Sequence, residues 1–145
     1  MRKILLVCGV VVVLAVVFFY FSSDSGEIYE FSGDITRVEN NSISVEGLFV
    51  GDTVPRGYSS LEQTEISLNI TPDSTIKRVE IKIPEPIGEP FYPDEQPKKE
   101  TSATIQNIED DYAEHVIGVI AKFKRSSWNP FSFEIIDLEY RLLVR

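Results

Sequence analysis

Hydrophobic and polar residues are distributed along this chain in two different ways. From Ile4 to Phe21 the chain has eighteen consecutive residues without a charge, ILLVCGVVVVLAVVFFYF. From about residue 28 onward, short runs in which hydrophobic and polar residues alternate are separated by Gly, Pro, Asn and Ser. An uninterrupted apolar run is typical of a membrane-spanning helix, and alternation is typical of strands with one buried face. The pattern therefore predicts an N-terminal helix followed by a β-rich domain.

The apolar run is long enough to span a bilayer. As a helix it measures about 27 Å, close to the ~30 Å thickness of the hydrocarbon core. Arg2 and Lys3 precede it, whereas Asp24 and Glu27 follow it, and basic residues favour the cytoplasmic side. We therefore expect a single-pass anchor with a cytoplasmic tip at 1–3, a transmembrane helix at 4–21, a tether at 22–26 and an extracytoplasmic domain at 27–145.

A cleaved secretory signal is the alternative for this segment. Such signals have an apolar region of about 7–15 residues followed by small residues at the cleavage site. This run is longer and ends in Phe-Phe-Tyr-Phe, which favours an uncleaved anchor. Cys8 is the only cysteine and lies within the run, so the exported domain has no disulfide and has to be held together by packing.

The alternation in the rest of the chain predicts six strands. In chain order we expect a hairpin over 29–47, a loop over 50–62, a second hairpin over 66–83, and strands over 115–124 and 131–142. In the last strand the hydrophobic phase slips by one at Ile135 and Ile136, which predicts a β-bulge. The inward phases predict a core made of Ile35, Val45, Ile66, Leu68, Val79, Ile81, Val119, Phe123, Phe133 and Leu138.

The segment 84–100, PEPIGEPFYPDEQPKKE, interrupts this pattern. It holds five of the eight prolines, and proline is excluded from helix interiors and central strands. We expect a long exposed loop here. After it, residues 104–114 predict a short helix or turn, because Ile105 and Ile108 are spaced by one helical turn.

Short strands in hairpins with little helix indicate a small barrel, with a short sandwich as the alternative. The segments FSGDITRVENNSISVEG (31–47), ITPDSTI (70–76) and the late strand 118–123 resemble uncharacterised OB-like small β-barrel domains of membrane-anchored or secreted bacterial proteins. This resemblance covers most of 28–143. It implies an all-β, OB-like barrel of five or six strands after the transmembrane helix, and it supplies no catalytic residues.

Composition excludes several kinds of chemistry. A net charge of −9 argues against a nucleic-acid partner, because affinity for nucleic acid comes mainly from neutralising phosphates. His115 is the only histidine, which disfavours a zinc site or a histidine-based mechanism. The run of Glu109, Asp110, Asp111 and Glu114 is a weak candidate for calcium, but a solvated charge run explains it better. We therefore expect no cofactor and no enzymatic activity.

The haem chaperones of cytochrome c maturation are similar in architecture, with an N-terminal anchor followed by an OB-like barrel. They attach haem through a histidine in a C-terminal His-Asp-Glu segment. Here the corresponding segment, 137–145, contains no histidine. An anchored ligand carrier and an anchored enzyme are thus alternatives that lack their required side chains.

Aromatic residues in or beside loops are the candidate contact residues. They are Phe91, Tyr92, Tyr58, Trp128 and Phe131. Capping of the barrel ends is the alternative role for them, and the Pro-rich loop with Phe91 and Tyr92 is the best candidate surface. The sequence therefore predicts an anchored, non-catalytic binding or assembly module that presents its loops to another envelope component, with a protein as the expected partner.

Overall fold

The domain after the N-terminal helix is built from strands. The computed structural model of the chain describes residues 2–23, 26–83, 92–93, 96–112 and 116–144, with side chains described from residue 9 in the first helix and from residue 118 in the sixth strand. The prediction of an all-β domain is confirmed. The elements are α1 (Arg2–Ser22), β1 (Ile28–Glu39), β2 (Ser42–Val50), β3 (Thr64–Asn69), β4 (Thr75–Lys82), β5 (Lys98–Ser102), α2 (Ile105–Tyr112), β6 (Val116–Arg125) and β7 (Phe133–Val144).

Helix α1 covers the whole predicted span, from Ile4 to Phe21. Its large apolar side chains from Val10 to Tyr20 are exposed. Over the residues that the structure describes, no helix meets the length and apolarity required of a membrane-crossing segment. The transmembrane assignment of 4–21 stays a prediction.

The seven strands form one sheet in the order β3-β2-β1-β6-β7-β4-β5. In addition, β3 pairs with β7, where Leu68 lies opposite Phe133. Five strands, β3-β2-β1-β6-β7, therefore close into a ring, and β4 with β5 continues the sheet outward from β7. The sheet has one strand more than the six that the sequence predicted.

The predicted hairpin over 66–83 is wrong. A turn does lie between its two halves, with the Ser74 amide donating to the Thr71 carbonyl at 3.0 Å. However, β3 and β4 do not pair with each other. Both run parallel to β7, β3 at Phe133 and β4 from Asp137 onward. Alternation identifies a strand but not its partner, and a short turn between two strands does not make them neighbours in the sheet.

The predicted loop over 84–100 is also corrected at its end. Residues 98–100 belong to β5, which pairs antiparallel with β4. All five residues of β5 are exposed, so its sequence, KKETS, carries no hydrophobic alternation that could have identified it. Residues 84–91, 94 and 95 lie outside the described residues, and Phe91 is among them.

The predicted β-bulge in the last strand is confirmed. Lys122 lies opposite Asp137 and Phe123 lies opposite Ile135, so Ile136 is the extra residue of β7. All ten predicted core residues are buried. The predicted strand over 131–142 included Phe131, which is exposed because β7 begins only at Phe133.

Two glycines allow β1 and β2 to approach closely. Gly33 lies directly opposite Gly47. A Cβ atom on Gly33 would clash with the backbone oxygen of Glu46, and one on Gly47 would clash with that of Ser32. Because backbone atoms on a paired strand cannot move aside, only glycine fits at these two positions.

Candidate functional site

The last turn of α1 contacts one end of the five-stranded ring. We call this end of the ring the rim. It consists of the loops 51–63 and 126–132. The ring of Phe21 packs 5.4 Å from that of Phe131, centroid to centroid. The Arg56 guanidinium lies 4.7 Å from the centre of the Tyr20 ring and donates to the Tyr20 carbonyl at 3.0 Å. The last turn of α1 is therefore in direct contact with both rim loops.

Arg125 connects the parts of the rim. It is only 3% exposed, and its guanidinium lies 5.1 Å from the Phe21 ring centre and 5.0 Å from that of Phe133. It donates to the Pro130 carbonyl at 2.5 Å and to the Arg56 carbonyl at 3.3 Å. A single side chain therefore joins α1, both loops and the core, through cation–π contacts and hydrogen bonds.

Two of the predicted contact residues, Tyr58 and Phe131, pack against other aromatic rings at the rim. The Tyr58 ring packs 5.4 Å from Phe49 and 5.8 Å from Phe133 and is itself 39% exposed. Phe131 packs on Phe21 and remains 62% exposed, and Trp128 is 91% exposed. Tyr92 is exposed in the Pro-rich segment.

The loop 126–132, with the sequence SSWNPFS, has a defined conformation. The amide of Ser126 donates to the carbonyl of Ser132, and that of Ser132 to the carbonyl of Asn129, both at 2.9 Å. The Asn129 side chain accepts from the Phe131 amide at 3.1 Å. These bonds hold the loop in one shape, so Trp128 and Phe131 are presented in fixed positions.

Strands β4 and β5 together form a second feature, which we call the arm. It pairs with β7 from Asp137 to Val144, whereas the rim contacts β7 at Phe133. With a rise of at most about 3.3 Å per residue, the ten residues from Phe133 to Leu143 place the far end of the arm up to about 33 Å along β7 from the rim. Within the described part of the chain, β5 pairs with β4 alone.

The outward-pointing backbone groups of β5 follow from its pairing. The Ala103 amide donates to the Ile76 carbonyl at 2.9 Å. Bonded and non-bonded positions alternate along an antiparallel pair, so Thr101 and Lys99 also bond to β4. The amides and carbonyls of Glu100 and Ser102 therefore point away from β4, toward the outer edge of β5.

A charged network attaches α2 to the sheet. Asp111 accepts two hydrogen bonds from Arg78, at 2.7 and 3.0 Å, and one from the buried Tyr140 hydroxyl at 2.9 Å. The hydrogen bonds from Arg78 lower the pKa of Asp111. Burial, together with the hydrogen bond to Asp111, raises the pKa of Tyr140. Arg78 also forms an ion pair with Glu80.

This network separates the acidic side chains of α2 that the structure describes. Asp111 is directed at the sheet, while Asp110 accepts from Gln106 at 3.2 Å. Among the described residues, no three His, Cys, Asp or Glu side chains lie close enough together to hold a metal ion. Glu114 and His115 lie outside the described residues.

A polar cleft lies beside the bulge in β7. Its volume is about 210 Å³, below the ~300–1,000 Å³ of most small-molecule sites. It gives no support to a ligand carrier. Its lining residues are Thr71, Asp73, Lys124, Glu134, Ile135 and Ile136.

No protein family matches the chain, and no curated protein or solved structure is similar to it. Sequence reasoning missed Arg56, Arg125 and the open edge of β5. Arg125 did leave a signal, since it follows Ala121 and Phe123 on the inward phase of β6. A charged residue at a predicted core position indicates a buried, partnered side chain.

Proposed function

We propose that the chain is a membrane-anchored binding or assembly module that acts outside the cytoplasm and performs no catalysis. Residues 4–21 cross the membrane, with Arg2 and Lys3 on the cytoplasmic side. The exposed apolar side chains of α1 support this, because a continuous apolar helix surface requires an apolar environment.

The ring supports an OB-like barrel for residues 27–145. OB-folds are small, partly open five-stranded barrels, and five strands close the ring here. The parallel contact between β3 and β7 is the pairing that closes it. Such a barrel is a rigid scaffold, so binding depends on the surfaces that project from it.

The open edge of β5 is the observation that carries the proposed function. All five of its residues are exposed, and its register through β4 places it opposite residues 139–143 of β7, away from the rim end at Phe133. An exposed edge can accept an extended segment of another protein as an additional strand. Lys98 and Lys99 stand on this edge of a chain with net charge −9, and edge lysines discourage nonspecific pairing. We therefore assign a partner protein that contributes an extended segment.

Proline at Glu100 tests this assignment. The amide of residue 100 points outward, so Glu100→Pro removes a donor from the open edge and leaves the bonds to β4 intact. Glu100→Gln is the matched control, since it changes the side chain and keeps the amide. We expect crosslinking and affinity capture from the native membrane to lose a partner with Glu100→Pro and to retain it with Glu100→Gln.

Equal recovery with both variants would show that the edge is not the binding surface. Replacing residues 86–97 with a Gly/Ser linker then tests the loop that carries Phe91 and Tyr92. Loss of the partner in that variant alone would move the site from the edge to the loop.

Two further results test the remainder of the proposal. Protease added to intact spheroplasts should digest the domain, and complete protection would reverse the orientation. His115→Ala should leave the in vivo role intact, because a binding module needs no histidine. Loss of that role at a normal protein level would favour a histidine-based mechanism.

A further inference from the structure

The loop 126–132 exposes apolar surface that neither solubility nor core packing explains. Trp128 is 91% exposed and Phe131 is 62% exposed. The loop contains no charged residue, although the chain has 23 acidic residues. Leu61, in the other rim loop, is also 91% exposed. Large apolar side chains that are grouped at one end of a molecule mark a contact surface.

The position of this loop relative to α1 sets its depth. Phe21 is the last residue of the apolar run, and its ring lies 5.4 Å from that of Phe131. If residues 4–21 span the hydrocarbon core, Phe131 lies at the level where that core ends. Trp128 is three residues away in the same hydrogen-bonded loop. Trp and Tyr are enriched at this level of a bilayer, because their rings are amphipathic.

Arg56, the basic residue of a rim that also carries Asp52 and Glu62, suits this level as well. The Arg56 guanidinium is held over the ring of Tyr20, in the last turn of α1. A guanidinium at the end of a membrane span reaches the headgroup region with its apolar stem along the helix. Because the loop is held by its own hydrogen bonds, little conformational entropy is lost when it meets the lipid.

We propose that the rim rests on the outer leaflet of the membrane that α1 crosses, and that Trp128 and Phe131 insert into the interface of the bilayer. The inference rests on the anchor in the proposed function. A lipid surface, rather than a second protein, is the occupant because the exposed residues continue directly from the end of the membrane helix. The domain is then held by the helix and by a second, interfacial contact.

Trp128 is the only tryptophan, so its fluorescence reports on the loop without background. The full chain is reconstituted in phosphatidylcholine vesicles in which some lipids carry a spin label, either near the headgroup or deep in the acyl chain. We expect stronger quenching by the shallow label than by the deep one. We also expect iodide quenching to be weaker than for a soluble tryptophan analogue and weaker than in the matched variant below, because interfacial rings are shielded from water.

A matched variant moves the tryptophan to a part of the domain that lies far from the rim. Tyr112 is exposed on α2, beside the Asp111–Tyr140 contact, and Tyr140 lies up to about 23 Å along β7 from Phe133. The double variant Trp128→Phe, Tyr112→Trp should be quenched by iodide and unaffected by either lipid label.

The outcomes separate the two proposals. Failure of the full chain to float with the vesicles overturns the anchor and, with it, this inference. If the chain floats but iodide quenches Trp128 as strongly as the analogue, the anchor stands and the interfacial contact is refuted. Shielding from iodide without quenching by either lipid label would mean that protein covers the loop, which also refutes the lipid assignment.

Discussion

Replacing Asp111 with alanine tests the contact that holds α2 against the sheet. The substitution removes two hydrogen bonds from Arg78 and one from the Tyr140 hydroxyl. Arg78 keeps its ion pair with Glu80 and its side chain is 28% exposed, so water and Glu80 offset part of its loss. Tyr140 is fully buried, so its hydroxyl loses this carboxylate and is compensated less by water than the guanidinium of Arg78.

The magnitude follows from these differences. A buried hydroxyl left without a partner costs about 1–3 kcal/mol, and a hydrogen bond to a charged group contributes about 1.5–3 kcal/mol. Because Arg78 is partly exposed, the loss of its hydrogen bonds to Asp111 costs less than these values suggest. We therefore expect Asp111→Ala to lower the free energy of unfolding by about 2–4 kcal/mol. Urea unfolding of the full chain in detergent micelles, followed by the circular dichroism of the strands, measures this loss.

A double variant isolates the contribution of the hydroxyl. Tyr140→Phe removes the hydroxyl, so in the Asp111→Ala background it should cost little or restore stability. We expect the two losses to be non-additive by about 1–2 kcal/mol. Additive losses, or a loss below about 0.5 kcal/mol for Asp111→Ala, would refute this account of the network.

The network also gives a pH dependence in acid. Arg78 holds the pKa of Asp111 below its usual value of about 3.9. The stability contributed by the Asp111 carboxylate is therefore complete above about pH 3.9. It is lost as the pH falls through the folded-state pKa of Asp111. The stability difference between wild type and Asp111→Asn should shrink below about pH 4. A constant difference down to strong acid would contradict this linkage.

Three further predictions concern the ring and Tyr140. Gly33→Ala should destabilise the fold by about 2 kcal/mol or more, because its Cβ meets backbone atoms, while the exposed neighbour change Ser32→Ala should have little effect on the melting temperature. Phe133→Ala should cost about 3–5 kcal/mol in urea unfolding, whereas Leu61→Ala should stay within about 0.5 kcal/mol of wild type. Because the pKa of Tyr140 is raised in the folded state, wild type should lose stability above about pH 10, and Tyr140→Phe should not.

Much of the ring could be predicted because its strands carry regular alternation. The first hairpin, the bulge at Ile136 and all ten core residues came from the hydrophobic phase alone. The pairing partners of the strands could not be predicted in this way, since alternation shows which face of a strand is buried and not which strand lies beside it. The parallel pairing of β4 with β7 and the wholly exposed strand β5 depend on long-range geometry that has no local signal.

The candidate surfaces were only partly predictable, for the same reason. The sequence identified Tyr58, Trp128 and Phe131 as loop aromatics, but it could not tell that Tyr58 packs on two core rings and is 39% exposed while Trp128 is 91% exposed. The distinction depends on where β7 begins and on the contact between α1 and the rim. Asp111 illustrates the same limit, because an acidic run in sequence is divided in space between solvent and a buried tyrosine.

The two proposed surfaces impose a single geometry on the domain. The rim and the far end of the arm lie up to about 33 Å apart along β7, and Arg125 and Arg56 fasten the last turn of α1 to the rim. A domain on a free tether would sample many orientations and would lose that freedom on binding. If the rim rests on the bilayer, the edge of β5 is instead presented at a fixed height and direction. A partner segment that extends to that height then binds without the cost of orienting the module, so loosening the rim with Arg125→Gln should weaken partner capture even though β5 is unchanged.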